Sequence, residues 1–162
     1  MLRGEYDKGN ADFRRAYALN PNSAFNLFYM ACSESVSGLT EEAREHAELG
    51  LRLSPRDLDI NIGVAYLALA QASFADGDFE NAMEWGKVAI QMHSKAPFRR
   101  ALMIACCGHL GDLDEAARQA TDLNAFAPDF LPSVLLGDMT IYKMPAHNAL
   151  FVDGLRKAGP PE

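Results

Sequence analysis

Gly77-Asp78-Phe79-Glu80-Asn81-Ala82 and Gly111-Asp112-Leu113-Asp114-Glu115-Ala116 share one six-residue pattern: a glycine, an acid three positions on, and a small residue at the sixth place. The same pattern stands at Gly4-Glu5-Tyr6-Asp7-Lys8-Gly9 and at Gly38-Leu39-Thr40-Glu41-Glu42-Ala43, so that successive copies lie 34, 39 and 34 residues apart. A period in that range is the sequence mark of stacked helical repeats. Each glycine sits where a helix must end in a left-handed conformation that costs other residues steric energy. Each helix that follows runs on for about one repeat half and stops near a proline: Asn20-Pro21, Ser54-Pro55 and Ala127-Pro128. Proline belongs in the first turn of a helix, where its missing N–H has no intrahelical acceptor to lose. In the third copy Ser94 stands where the proline is expected, and Pro97 takes over the role.

The spacing therefore predicts helices over 5 to 19, 23 to 36, 40 to 53, 56 to 75, 79 to 93, 96 to 109, 113 to 126, 131 to 141 and 146 to 157. The fourth is expected to absorb the extra residues of the long interval, since Leu58-Asp59-Ile60-Asn61-Ile62 carries no breaker. Ser54, Asn22 and Asp112 are N-cap candidates, and Asp112 with Glu115 reads as a capping box. No segment sustains strand alternation.

Totals narrow the function classes. Apolar residues make up 49% and charged residues 23% of 162, the balance of a folded domain rather than a disordered one. With 22 acidic and 15 basic side chains the formal charge is -7 and no basic run exceeds a pair, which disfavours nucleic acid and anionic lipid as partners. Membrane insertion is not expected, because no long uncharged apolar run occurs. Cys32, Cys106 and Cys107 include no C-x-x-C pair and fall in apolar helical stretches, the usage of a reduced, cytoplasmic protein.

A 34-residue helix-turn-helix with small residues at its eighth, twentieth and twenty-seventh positions and proline at the thirty-second resembles the tetratricopeptide repeat. Residues 24 to 57 supply Ala31, Ala43, Gly50 and Pro55; residues 63 to 96 supply Ala70, Ala82, Ala89 and Ser94; residues 97 to 130 supply Ile104, Ala116, Leu123 and Pro128. The fourth position departs from the family's large aromatic, holding Leu27, Tyr66 and Arg100. The resemblance implies an all-α solenoid, a right-handed superhelix of helix pairs forming a single domain over 1–162. A half repeat at 4–21, repeats at 24–57, 58–96 and 97–130, and a degenerate capping pair at 131–162 divide it. Opening inside a repeat is what a piece of a longer protein would do.

The tail Asn148-Ala149-Leu150-Phe151-Val152-Asp153-Gly154-Leu155-Arg156-Lys157-Ala158-Gly159-Pro160-Pro161-Glu162, together with Asp12-Phe13-Arg14-Arg15-Ala16-Tyr17-Ala18-Leu19-Asn20-Pro21, is similar to the C-terminal repeat regions of bacterial class III adenylate and guanylate cyclases. That resemblance implies a catalytic domain upstream, with this chain as a non-catalytic regulatory scaffold. Related bacterial transcriptional regulators can carry similar repeats.

In the repeat geometry the first helix of each pair lines the concave wall. The residues the resemblance assigns to that wall include Phe25, Phe28, Tyr29, Cys32, Val64, Leu67, Gln71, Phe74, Phe98 and Leu102, a largely apolar groove. One reading is a site for an amphipathic helix or an extended peptide, anchored by Phe25, Phe28, Tyr29 and Phe98. The other is that these rings are core, or that a C-terminal helix carrying Phe151 and Leu155 folds back to fill the groove. Partners are therefore proteins or peptides, with self-association as a homodimerisation module as the alternative. A clamp for a terminal carboxylate is rejected, because the wall lacks the Lys, Arg and Asn it needs. Cofactors are not expected: Cys106-Cys107 point about 100° apart on a helix, and His46, His93, His109 and His147 fall in no ligand spacing. Asp57-Leu58-Asp59-Ile60-Asn61 imitates a calcium loop but lacks its glycine and its bidentate glutamate. No Gly-rich phosphate loop or nucleophile motif points to catalysis.

Overall fold

The computed structural model describes residues 5–54 and 61–159. Among them the regular secondary structure is all α-helix, without strands. Helix α1 spans Tyr6–Leu19, α2 Ala24–Ser37, α3 Thr40–Leu53, α4 Ile62–Ala75, α5 Phe79–Met92, α6 Pro97–Leu110, α7 Leu113–Asn124, α8 Phe130–Leu135 and α9 Pro145–Lys157. Three hairpins, α2/α3, α4/α5 and α6/α7, stack in chain order to form an α-solenoid, with α1 against α2 at one end and α9 against α6 at the other.

Each hairpin turn is chemically specified. Gly38, Gly77 and Gly111 take φ of 89°, 81° and 77°, the left-handed conformation predicted for them. After the turn, Asp78 and Asp112 accept from the backbone N–H of Asn81 and Glu115, tying down the first turns of α5 and α7. Glu115 does not complete a capping box, since its carboxylate goes to Arg118 and Gln119 instead. At the start of α2 the cap is Ser23, whose Oγ accepts from Asn26 N–H, and not Asn22. Gly4 and the Ser54-Pro55 stop cannot be followed, as Gly4 and Pro55 lie outside the described residues.

Two predicted elements are corrected. The fourth helix was expected from residue 56; residues 56–60 lie outside the described residues, and α4 begins at Ile62 with 14 residues, the length of α2, α3, α5 and α6. Asn61 stands at its N-cap position without a side-chain cap bond, its Oδ1 accepting from the Tyr29 hydroxyl instead. The expected helix over 131 to 141 is the short α8, which ends at Leu135. Gly137, at φ 82°, breaks it, and residues 138–143 continue without regular helix as a strap leading to Pro145, the first residue of α9.

Small residues let the layers close. A Cβ on Gly50 of α3 would fall 2.6 Å from the Phe28 ring, and one on Gly86 of α5 would overlap the sulfur of Met103. Between α2 and α3, the fully buried Glu34 carboxylate meets His46 Nδ1 at 2.7 Å, while its other oxygen has no partner. Burial pushes the Glu34 pKa up, against the opposing pull of the His46 hydrogen bond and charge.

Gly111→Ala should cost about 1 kcal/mol, because nothing crowds the new methyl and only the left-handed φ is violated; urea midpoints of the two proteins measure it. For Glu34 the sign runs from its raised native pKa: the ionised carboxylate is worse placed in the native chain than in the unfolded one, so its cost appears as pH rises above the ordinary carboxylate range. The stability of Glu34→Gln relative to the parent should therefore grow from pH 5 to pH 8 in urea titrations.

Candidate functional site: the inner wall and its strap

The helices that the resemblance assigns to the inner wall are α2, α4 and α6, and equivalent positions on them hold Phe25, Val64 and Phe98, separated by the same 39 and 34 residues as the glycine turns. Phe25 is 50% exposed, and Tyr29, Cys32, Val64, Leu67 and Phe98 are half-buried. Phe25 and Tyr29 pack at 4.6 Å between ring centroids, and Phe13 of α1 stacks on Tyr29 at 6.4 Å. Tyr29 is further held by its hydroxyl, which donates to Asn61 Oδ1.

Four of the residues assigned to the groove are buried. Phe28 has no exposed surface: its ring lies against Gly50 of α3 and belongs to a cluster with Ala47, Ala65 and Leu69. Phe74 and Leu102 are also fully buried. Gln71 is 2% exposed, its Oε1 accepting from Ser35 Oγ at 2.7 Å, and it serves as a bridge between α2 and α4. For Phe28 the cause is helical phase: a residue at the edge of the inner face turns into the seam between helices when a small neighbour such as Gly50 leaves room.

The strap and α9 explain the fate of Phe74. Tyr142, wholly buried, lies at ring-centroid distances of 6.1 Å from Phe74, 6.5 Å from Phe98 and 5.8 Å from Phe151. Phe151 in turn touches Phe74 and Phe98 at 5.9 and 5.7 Å. The C-terminal helix thus covers the wall at the α4/α6 end. It approaches so closely because Gly108 and Gly154 face one another: a Cβ on Gly108 would overlap the Gly154 carbonyl oxygen. His109 stacks on Phe79 at 4.2 Å, and its Nε2 lies 2.9 Å from the Leu150 carbonyl.

Main-chain bonds fasten the strap. Lys143 N–H donates to the Val36 carbonyl at 2.8 Å, and the Tyr6 hydroxyl donates to the carbonyls of Thr140 and Ile141. Asn148 Oδ1 accepts from Ile141 and Tyr142 N–H, and Lys143 pairs with Asp7 at the surface. Between strap and wall a cleft of about 280 Å³ remains, lined by Tyr6, Cys32, Val36, Gln71, Phe98, Phe130, Met139, Thr140 and Ile141. A second, of about 540 Å³, opens on the other side against Asp7, Tyr142, Lys143 and Val152. Tyr6, Tyr142 and the strap were missed from the sequence; the only signal was an aromatic residue between Gly137 and Pro145.

Burial pushes the thiols of Cys32 and Cys107 up to about 11, and that of Cys106 higher still, so none supplies a thiolate at neutral pH. Among the described residues no group of three or more His, Cys, Asp or Glu could hold a metal ion, and no helix is long and apolar enough to cross a membrane.

Substituting the two neighbouring rings separates the two environments. Phe28→Asp should unfold the chain, since it loses about 3–5 kcal/mol of packing and buries a charge as well, whereas Phe25→Ser should shift stability by less than about 1 kcal/mol; circular dichroism melts report both.

No family model matches the sequence, and no curated protein matches it. Solved structures do. The chain is similar to the crystal structure of MamA, with TM-score 0.63 and 18% identity over 96% of this chain and 88% of that one. It is also similar to YrrB, described as a TPR protein with an unusual peptide-binding site, with TM-score 0.58 and 18% identity over 95% of this chain and 76% of that one. At that identity the likeness speaks for fold, and the fold is the α-solenoid of tetratricopeptide-type helix pairs that the glycine period predicts.

Proposed function

We propose that the chain is a non-catalytic interaction scaffold that binds a protein segment on its inner wall, and that residues 1–162 act as one domain with the repeat boundaries given above. The observation that carries this reading is the strip of apolar residues running across three successive inner helices, Phe25 exposed and Tyr29, Val64, Leu67 and Phe98 half-buried. An array of aromatic and aliphatic side chains on a rigid concave frame anchors a peptide or a helix, with affinity drawn from a few buried rings. The peptide-binding site named for YrrB supports the same class of ligand. The net charge of -7 selects against acidic partners at long range.

We place the domain in a bacterial signalling protein such as an adenylate cyclase, in the cytoplasm. That placement rests on the tail residues 148–162 and on Asp12–Pro21. There its role would be to couple partner capture to an upstream domain. Self-association as a homodimerisation module is the competing role, and sedimentation at micromolar concentration separates the two: a monomer supports capture of a foreign segment, and a persistent dimer supports self-association.

The groove itself is tested with peptides selected against the full chain from a random display library. Val64→Lys should weaken the selected peptides about tenfold or more, the loss of about 1.4 kcal/mol, with an unchanged melting temperature. Equal binding by parent and variant would remove the inner wall as the site.

A further inference from the structure

The groove is already half occupied, and its occupant has the form of a peptide ligand. Residues 138–143 cross the wall without helix, contribute main-chain groups to Val36 and Tyr6, and insert one side chain, Tyr142, into a nest of rings. Yet the fit is incomplete at one atom. The Tyr142 hydroxyl is buried with no hydrogen-bond partner, and the neighbouring His147 Nδ1 is also buried without one. A buried donor without a partner loses its hydration and gains nothing in exchange, so the nest is shaped for an aromatic ring and penalises the hydroxyl upon it.

We propose, building on the groove reading above, that the strap is a stand-in for a partner: the nest formed by Phe74, Phe98 and Phe151 is the recognition pocket, and it takes an extended segment anchored by phenylalanine and followed by a basic residue, admitted when the strap swings aside. Phenylalanine fills the ring volume and brings no orphan donor. The basic residue follows from Lys143, which sits next to the anchor and pairs with Asp7 at the rim; an incoming Lys or Arg inherits that carboxylate.

The strap has the ends such a movement needs. Gly137, at φ 82° with open space around its α-carbon, bounds it on one side, and Pro145 opens α9 on the other. Beyond Pro145 the chain is fixed, since the crossing of α9 on α6 at Gly154 and Gly108 leaves no room for side chains. Residues 138–144 can therefore move while α9 and Phe151 stay docked, keeping three walls of the nest in place. The clefts of about 280 and 540 Å³ on either side of the strap give an entering segment space before displacement is complete.

The test uses the full chain and three fluorescein-labelled synthetic peptides: Asp-Met-Thr-Ile-Phe-Lys-Met, and the same peptide with Tyr or Ala in place of Phe. By fluorescence anisotropy the Phe peptide should bind about tenfold tighter than the Ala peptide and tighter than the Tyr peptide. Tyr142→Phe perfects the internal occupant, so it should weaken the Phe peptide about fivefold against the parent by population shift. Independently of any variant, hydrogen exchange of the Lys143 amide should run at least about tenfold faster than that of the α9 core amides, as local opening requires. Phe and Ala peptides of equal affinity, a Tyr142→Phe protein that binds like the parent, or a Lys143 amide that exchanges only with global unfolding would each overturn the inference. Library peptides lost in Val64→Lys but indifferent to Tyr142→Phe would sink the strap and leave the groove standing.

Discussion

The close crossing of α9 on α6 is the constraint on which the inner wall depends. A solenoid of helix pairs leaves one apolar face without a following repeat, and some element must cover it or the stack ends in exposed hydrocarbon. Here two facing glycines, Gly108 and Gly154, bring the backbones together, and the close approach delivers Phe151 and Leu155 to full burial. Once α9 is there, the chain between α8 and α9 has only a short path, and that path runs over the wall. Occupation of the groove is thus a geometric consequence of how the stack is capped.

Polar groups inside the stack fix how the hairpins sit on one another. Gln71 of α4 bonds Ser35 of α2, and buried Arg99 of α6 donates to the Ala89 carbonyl of α5. Arg99 has room for its guanidinium because Gly63 of α4 has no side chain, and burial lowers its pKa. Such contacts add little net stability, but a shift of one helix along another would leave each of them unpaired, at a cost of about 1–3 kcal/mol per group. The apolar seams tolerate sliding and these bonds do not. The register of the wall, and with it the alignment of Phe25, Val64 and Phe98, follows from them.

Most of the architecture was legible because turns obey local chemistry. A glycine needed at positive φ, an aspartate able to cap, and a proline at a first turn act within a few residues, so Gly38, Gly77, Gly111 and Asp112 could be placed from the sequence alone. The groove was legible only in part. Phe25 and Phe28 are three residues apart and chemically identical, yet one is exposed and the other sealed, because Gly50 on α3 admits a ring at one phase angle and not at the other. Periodicity assigns a residue to a face; it cannot assign it to the middle of that face or to its edge. The strap was illegible for a different reason, since an irregular segment has no period, and its position is set by contacts with residues more than 100 positions away in sequence, such as Tyr6.

The two ends of the groove consequently differ in kind. At the α2/α4 end the wall is a partly exposed aromatic strip, with Phe25 and Phe13 each packed on Tyr29 and open to any apolar segment that reaches it. At the α4/α6 end the same wall is covered, and entry requires exchange with Tyr142. A ligand that contacts only the open end gains area but little selectivity, because exposed rings accept many side chains. One that also reaches the nest must match the depth of a single aromatic pocket and compete with a tethered occupant, whose effective concentration is high. Selectivity on this scaffold therefore resides where the groove is already filled, and affinity where it is not.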